Sequence, residues 1–170
     1  MTRDEHLRRV VLLTCHFARN FAYYRAAWDG ATLANSTDFW KTVSGNCFDL
    51  CVLEWCKLFG DPKGEHSWQN VVSDPDKFEA GFYPAVALSA ADFEVYRLKT
   101  RGYRDKFVAH LDLEKVAYLP HLDPAWASVR YYHSYVVASE ISAIALGTLP
   151  KDLEAYRASK FSEATPMYRK

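Results

Sequence analysis

The chain reads as an all-α fold, a helical bundle of four long helices plus short ones. Three observations predict this. Apolar residues recur every three or four positions over long stretches. Glycine and proline, seven of each, cluster between those stretches. No segment shows the period-two alternation of a half-buried strand, and no internal repeat or low-complexity tract interrupts the pattern. With 170 residues, the chain is expected to form one domain over 1–170 and to bury about two thirds of its unfolded surface without disulfides.

The first helix is expected from about Asp4 to Trp28. Val10, Leu13, Phe17, Phe21 and Tyr24 form its apolar stripe, and Asp29-Gly30 ends it. The second opens at Ser36 or Thr37, either of which suits an N-cap, and runs through Phe48, Val52, Trp55 and Leu58 to Gly60. Asp61-Pro62-Lys63-Gly64 reads as a loop, followed by a short helix around His66 to Val72 and a turn at Asp74-Pro75-Asp76. The stretch from Pro75 to Leu88 is ambiguous, because Pro84 limits any helix there. Ser89 or Ala90 opens the third long helix, which runs to about Glu114 with Phe93, Tyr96, Tyr103, Phe107 and Leu111 on its apolar face. Pro120 and Asp123-Pro124 break the chain. The fourth long helix spans about Pro124 to Gly147, with proline at its first position. Trp126, Val129, Val136, Val137, Ile141 and Ile144 face inward. Pro150 and a polar tail containing Tyr156 and Tyr168 close the chain.

Composition narrows the function. A hydrophobic content of 49%, with 15% aromatic, argues for an ordered core. The formal charge of zero argues against broad binding to long nucleic acid but leaves room for a small site acting on one phosphodiester. The N-terminal Met1-Thr2-Arg3-Asp4-Glu5 lacks a signal-peptide core, and no apolar run approaches the ~20 residues that span a bilayer. A cytoplasmic protein away from membranes is expected. Cys47 and Cys51 lie one helical turn apart, with Cys56 beyond them and Cys15 in the first helix. This is not the paired Cys-x-x-Cys spacing of zinc sites. Buried thiols acting as small hydrophobes are expected, with no metal and no cofactor. A metal enzyme built on Cys47, Cys51 and a histidine is the competing reading.

The most informative stretch is Tyr103-Arg104-Asp105-Lys106-Phe107-Val108-Ala109-His110. It pairs a cation that cannot lose its proton with an imidazole that can. Arg104 and His110, six positions apart, point about 120° apart on a regular helix. Two arrangements bring such groups to one phosphate. The helix is irregular near Tyr103, where Gly102 weakens it by about 1 kcal/mol relative to alanine. Alternatively, two chains meet on a two-fold axis, which also supplies two histidines, one as general base and one as general acid. RNA carries its own nucleophile, the 2′-hydroxyl. A neutral imidazole would remove its proton while Arg104 holds the non-bridging phosphate oxygens, giving a 2′,3′-cyclic phosphate and a 5′-hydroxyl. DNA, lacking that hydroxyl, would survive. Asp105 is placed to orient Arg104 or an imidazole, and Lys106 to add positive charge. The bland alternative is a solvated charged face with a structural histidine.

Arg104, Asp105 and His110 resemble the motif of the HEPN superfamily (higher eukaryotes and prokaryotes nucleotide-binding): an arginine, a polar residue, and a histidine four to six residues beyond the arginine. More narrowly, Tyr103 to Asp112, and Leu53-Glu54-Trp55-Cys56-Lys57-Leu58-Phe59-Gly60 followed by His66-Ser67-Trp68, resemble the abortive-infection U-like (AbiU-like) branch. The resemblance spans roughly residues 36 to 145. It implies a HEPN-like helical dimer with the Arg–His motifs facing across a cleft. It also implies metal-independent endoribonuclease activity in defence or toxin–antitoxin settings, and a nucleotidyltransferase-like antitoxin as partner. Some members are inactive and serve as binding modules, so a non-catalytic dimer binding a nucleotide or a partner protein is the alternative.

Other residues carry weaker signals. Trp55, Phe59, His66 and Trp68 form an aromatic set suited to core packing or to base stacking. Asp49 and Glu54 lie five apart and share no helix face. His133, beside Arg130, Tyr131 and Tyr132, is expected to be structural. Cys15 and His16 are adjacent and diverge on a helix, which excludes a nucleophile–base pair.

Overall fold

A capping box starts the first helix. Thr2 Oγ1 accepts from the Glu5 N–H at 3.2 Å, and the Glu5 carboxylate accepts from the Thr2 N–H at 2.7 Å. The computed structural model describes residues 1–108 and 118–169. Helix α1 (Arg3–Ala26) leads into an antiparallel hairpin, β1 (Trp28–Asp29) and β2 (Thr32–Leu33), with Gly30 at φ +62° in the turn. Helix α2 (Asp38–Trp55) passes into a π-helical turn at Cys56–Gly60. Then come α3 (Trp68–Val71), α4 (Pro75–Val86) and α5 (Ala90–Tyr103), and α5 passes into a second π-helical turn at Arg104–Val108. Helices α6 (Leu122–Ser139), α7 (Ala143–Leu146) and α8 (Leu153–Tyr168) complete the described chain. The expected all-α fold is what the structure shows. No described helix is long and apolar enough to cross a membrane.

Helix α1 is the central column, packed against α2, α6 and α8. Its expected stripe points inward: Val10, Phe17 and Phe21 are buried, and Leu13 and Tyr24 are partly buried against the same core. Thr37 and Ser89 cap α2 and α5, as their side chains predict, though only Ser89 accepts a helical N–H, from Asp92. The core between α2, α4, α5 and α6 is aromatic. Phe59 stacks on Trp55 at 5.5 Å and on Phe82 at 5.7 Å, while Phe93 and Tyr132 meet it edge-on. Trp55 is fully buried, and its indole N–H donates to Ser128 Oγ at 2.8 Å.

Four sequence expectations need correction. The polar tail is helix α8, so the described residues hold five long helices, α1, α2, α5, α6 and α8, where four were expected. Asp152 caps α8 through the Ala155 N–H, and Tyr168 packs on Trp40 at 4.8 Å. The ambiguous stretch is helix α4. Pro84 sits in its last turns, and Ala87 closes it in the left-handed region at φ +54°. The fourth predicted long helix starts earlier, with His121 at the N-cap, which moves Pro124 off the first position. It also breaks at Glu140, before the short α7. There the Glu140 carboxylate accepts from the Ser73 N–H at 2.8 Å and from Arg3 at 2.5 Å, and Ile144 turns outward, 94% exposed. Leu111 and Glu114, expected on the third long helix, lie outside the described residues.

His133 is fully buried, as a structural histidine should be. Its Nε2 lies 3.1 Å from the Pro150 carbonyl and its Nδ1 2.7 Å from Thr14 Oγ1. Burial lowers its pKa below 6.5, outweighing the backbone contacts at Pro150 and Lys151 that favour the charged ring. A depressed histidine costs stability in acid. Above about pH 6.5 both folded and unfolded forms are neutral, and below it only the unfolded chain readily takes the proton. Thermal melts should therefore fall as pH drops from 7.5 to 5. His133→Gln should start less stable at pH 7.5 and lose less over that interval, the remaining loss including His66. Parallel curves for the two proteins would refute this assignment.

Candidate functional site

The two π-helical turns place the candidate residues. A π turn inserts an extra residue into the helical ladder and redirects the side chains around it. The first packs against α5 and the second against α2. Arg97, on α5, donates to the Gly60 carbonyl at 2.7 Å and pairs with Glu94 at 2.6 Å. Arg104 Nη1 lies so near Gly60 that a Cβ there would sit 3.8 Å from it, and 3.0 Å from the Cys56 Cβ. The two motif segments, far apart in sequence, thus meet in space. An irregular helix near Tyr103, one of the two arrangements the spacing left open, is present as the turn beginning at Arg104.

Arg104 is held by its neighbour. Asp105 Oδ1 accepts from its Nε at 2.7 Å and from its Nη2 at 2.5 Å. Arg101 approaches the other oxygen of Asp105 at 3.5 Å. Asp105 is therefore bracketed by two guanidinium groups and holds Arg104, one of the two tasks the sequence allowed it; the imidazole of the other task lies outside the described residues. The Arg104 side chain keeps 24% of its surface exposed, enough for contact with a small anion. Lys106 is partly buried on the same turn. Tyr103 points away from this cluster. Its hydroxyl donates to Asp49 Oδ1 at 2.8 Å, and burial, then the Asp49 contact, push its pKa up. His110 lies outside the described residues.

Beyond Tyr103 opens a cleft of about 450 Å³, bordered by α1, α2, the hairpin and the start of α6. Tyr24, Trp28 and Phe48 line its walls, and Lys41 and His121 bring basic groups to it. An ion pair between Arg25 and Asp123 spans part of its rim. Sequence reasoning missed Lys41 and His121. They stand on separate segments with no spacing that ties them to Arg104, and only the packing of α2 beside α6 gathers them.

Apart from His66, the remaining candidates resolve as structure. Trp55, Phe59 and Trp68 are buried, with Trp68 stacked on Phe78 at 4.8 Å, so the aromatic set is core and not a base-stacking surface. His66 is only partly buried. Burial lowers its pKa, and its Nδ1 is buried without a hydrogen-bond partner. Asp49 serves Tyr103, and Glu54 pairs with Lys57 at 3.0 Å, so the two carboxylates do not cooperate. Cys15 is buried and His16 exposed, so they face opposite ways. All four cysteines are buried free thiols, and among the described residues Cys47 and Cys51 join no cluster of metal-ligating side chains.

Compared with protein-family models, curated proteins and solved structures, the chain matches none.

Burial raises every thiol pKa: to about 11 for Cys15 and Cys56, upward for Cys47, and well above its ordinary value for Cys51. Such groups carry almost no thiolate at pH 8. A disulfide exchange reagent at that pH should leave the native protein largely unmodified and titrate all four thiols after denaturation. A native thiol reacting as fast as free cysteine would contradict the packing.

Proposed function

We propose that this protein is a metal-independent endoribonuclease of a defence or toxin–antitoxin type. It works as a homodimer in which Arg104 and His110 of two chains form one composite site. The observation that carries the reading is the meeting of the two HEPN-like segments, with the Arg104 guanidinium beside Gly60. A second observation supports the dimer. Val95 and Leu98, 51% and 54% exposed, run along α5 toward Gly102, beside which lies open space. An apolar strip leading to the arginine suits a second copy of the chain.

The chemistry uses only protein groups. One imidazole takes the proton of the ribose 2′-hydroxyl, and its oxygen attacks the adjacent phosphorus. Arg104 carries the charge that grows on the non-bridging oxygens. The second imidazole gives its proton to the leaving 5′-oxygen, so the products are a 2′,3′-cyclic phosphate and a 5′-hydroxyl. Asp105 holds Arg104 in place before substrate arrives, and yields part of the guanidinium to the phosphate. The resemblance adds a nucleotidyltransferase-like antitoxin as partner, and the unpaired cysteines suit a reducing cytoplasmic setting.

One feature favours the second reading, a non-catalytic dimer that binds a nucleotide or a partner protein. Two Arg104 nitrogens are already engaged by Asp105, as in a structural ion pair.

Purified protein incubated in EDTA should cleave total RNA and leave DNA intact. His110→Ala and Arg104→Ala should each slow cleavage by about 10²–10⁴-fold while the protein stays folded. Leu98→Glu should yield monomers and lose cleavage. Undiminished cleavage by His110→Ala would overturn the proposal. Absence of cleavage by the wild type, with a nucleotide or protein co-purifying, would establish the second reading.

A further inference from the structure

We propose that His6, Glu65 and His66 form a binding site for one zinc-class divalent transition-metal ion, tying the first turn of α1 to the loop that follows the first π turn. Each residue offers a ligand atom within 4.8 Å of the others'. Two imidazoles and a carboxylate are a donor set that zinc and its neighbours favour over calcium or magnesium, with water completing the coordination.

The backbone on both sides is held before any ion arrives. His6 lies in the turn fixed by the Thr2–Glu5 capping box. The Asp61–Ser67 loop is closed on itself: Asp61 accepts from the N–H groups of Lys63 and Gly64, and the Asn70 side chain donates to the Pro62 and Gly64 carbonyls at 3.0 and 2.9 Å. Tyr132 donates to the His66 carbonyl at 3.2 Å. The imidazoles are also prepared. His6 Nε2 sits 2.8 Å from the Glu65 carbonyl, which can only accept, so that nitrogen carries the proton and Nδ1 keeps its lone pair. Such a second hydrogen bond is the usual device that orients a metal-binding histidine. His66 brings a buried nitrogen with no partner, an omission that an ion would repair.

Metal bonds of about 2.0–2.2 Å bring ligand atoms around a tetrahedral ion to about 3.4 Å apart. Rotation of the exposed Glu65 side chain and small turns of the two rings take up the difference. Arg9 and Lys57 also face His66. The Glu65 carboxylate offsets that charge, and Lys57 is already paired with Glu54. The site shares no residue with Arg104 and His110, and the ion acts as a staple rather than in the cleavage step.

The full chain, freed of metal by chelation and dialysis, should take up one zinc ion in a calorimetric titration. Its melting temperature should rise by several degrees at a hundredfold excess over Kd, while magnesium should do neither. His6→Ala and Glu65→Gln, both changes at accessible side chains, should weaken zinc binding at least tenfold and abolish the shift, whereas Cys47→Ser should retain both. A wild-type protein that folds but binds no stoichiometric zinc would overturn the proposal. So would a His6→Ala variant that binds zinc as tightly as the wild type. Both readouts are independent of RNA cleavage, so this proposal and the ribonuclease reading can fail separately.

Discussion

Phe59 holds the molecule together. It lies in the π turn behind α2, yet its ring sits among Trp55, Phe82, Phe93 and Tyr132, which come from four different helices. Buried rings of this size typically cost about 3–5 kcal/mol to truncate, a large share of the net stability of a small domain. Because Phe59 is fixed on so many sides, the turn that carries it has one available path. Gly60 then falls beside α5, where its carbonyl receives Arg97, a side chain would crowd Cys56, and the Arg104 guanidinium lies alongside. The position of the candidate arginine is thus a consequence of aromatic packing deep in the core.

That dependence explains why polar and apolar features interlock here. The charged row Arg97, Arg101 and Arg104 runs along α5 into the second π turn, and each member has an acidic partner: Glu94 for the first and Asp105 for the other two. Exposed ion pairs of this kind contribute little to stability, about 0–1 kcal/mol each. Their effect is orientation. Tyr103, at the junction, turns the other way to meet Asp49 and closes one wall of the cleft. A single stretch of chain therefore serves two surfaces, one cationic and one aromatic.

Much of this was legible in the sequence. The stripe of α1, the caps at Thr37 and Ser89, the loop at Asp61-Pro62-Lys63-Gly64 and the irregularity beyond Gly102 all follow from local chemistry. What escaped was decided by distant contacts. Helix α8 buries only Leu153, Ala164 and Tyr168, a stripe too thin to announce itself, and it is held by α1. The break after α6 depends on Glu140 reaching Ser73 and Arg3, which no window around residue 140 contains. The hairpin has two residues per strand, too few to alternate. For the site, the motif named Arg104 and Asp105, and packing supplied their geometry. The cleft residues Lys41 and His121 came from segments with no shared pattern, as did the pairing of His6 with His66.

The central claim is that two chains bring their imidazoles to one scissile linkage, and the distance between the two copies of residue 110 tests it most directly. A nitroxide label on His110→Cys, introduced beside four buried native thiols, would report that distance by pulsed electron spin resonance. The account predicts a single short distance between chains, lost when labelled protein is mixed with excess unlabelled protein. Labels with no inter-chain distance, in a protein whose solution mass is that of one chain, would contradict it.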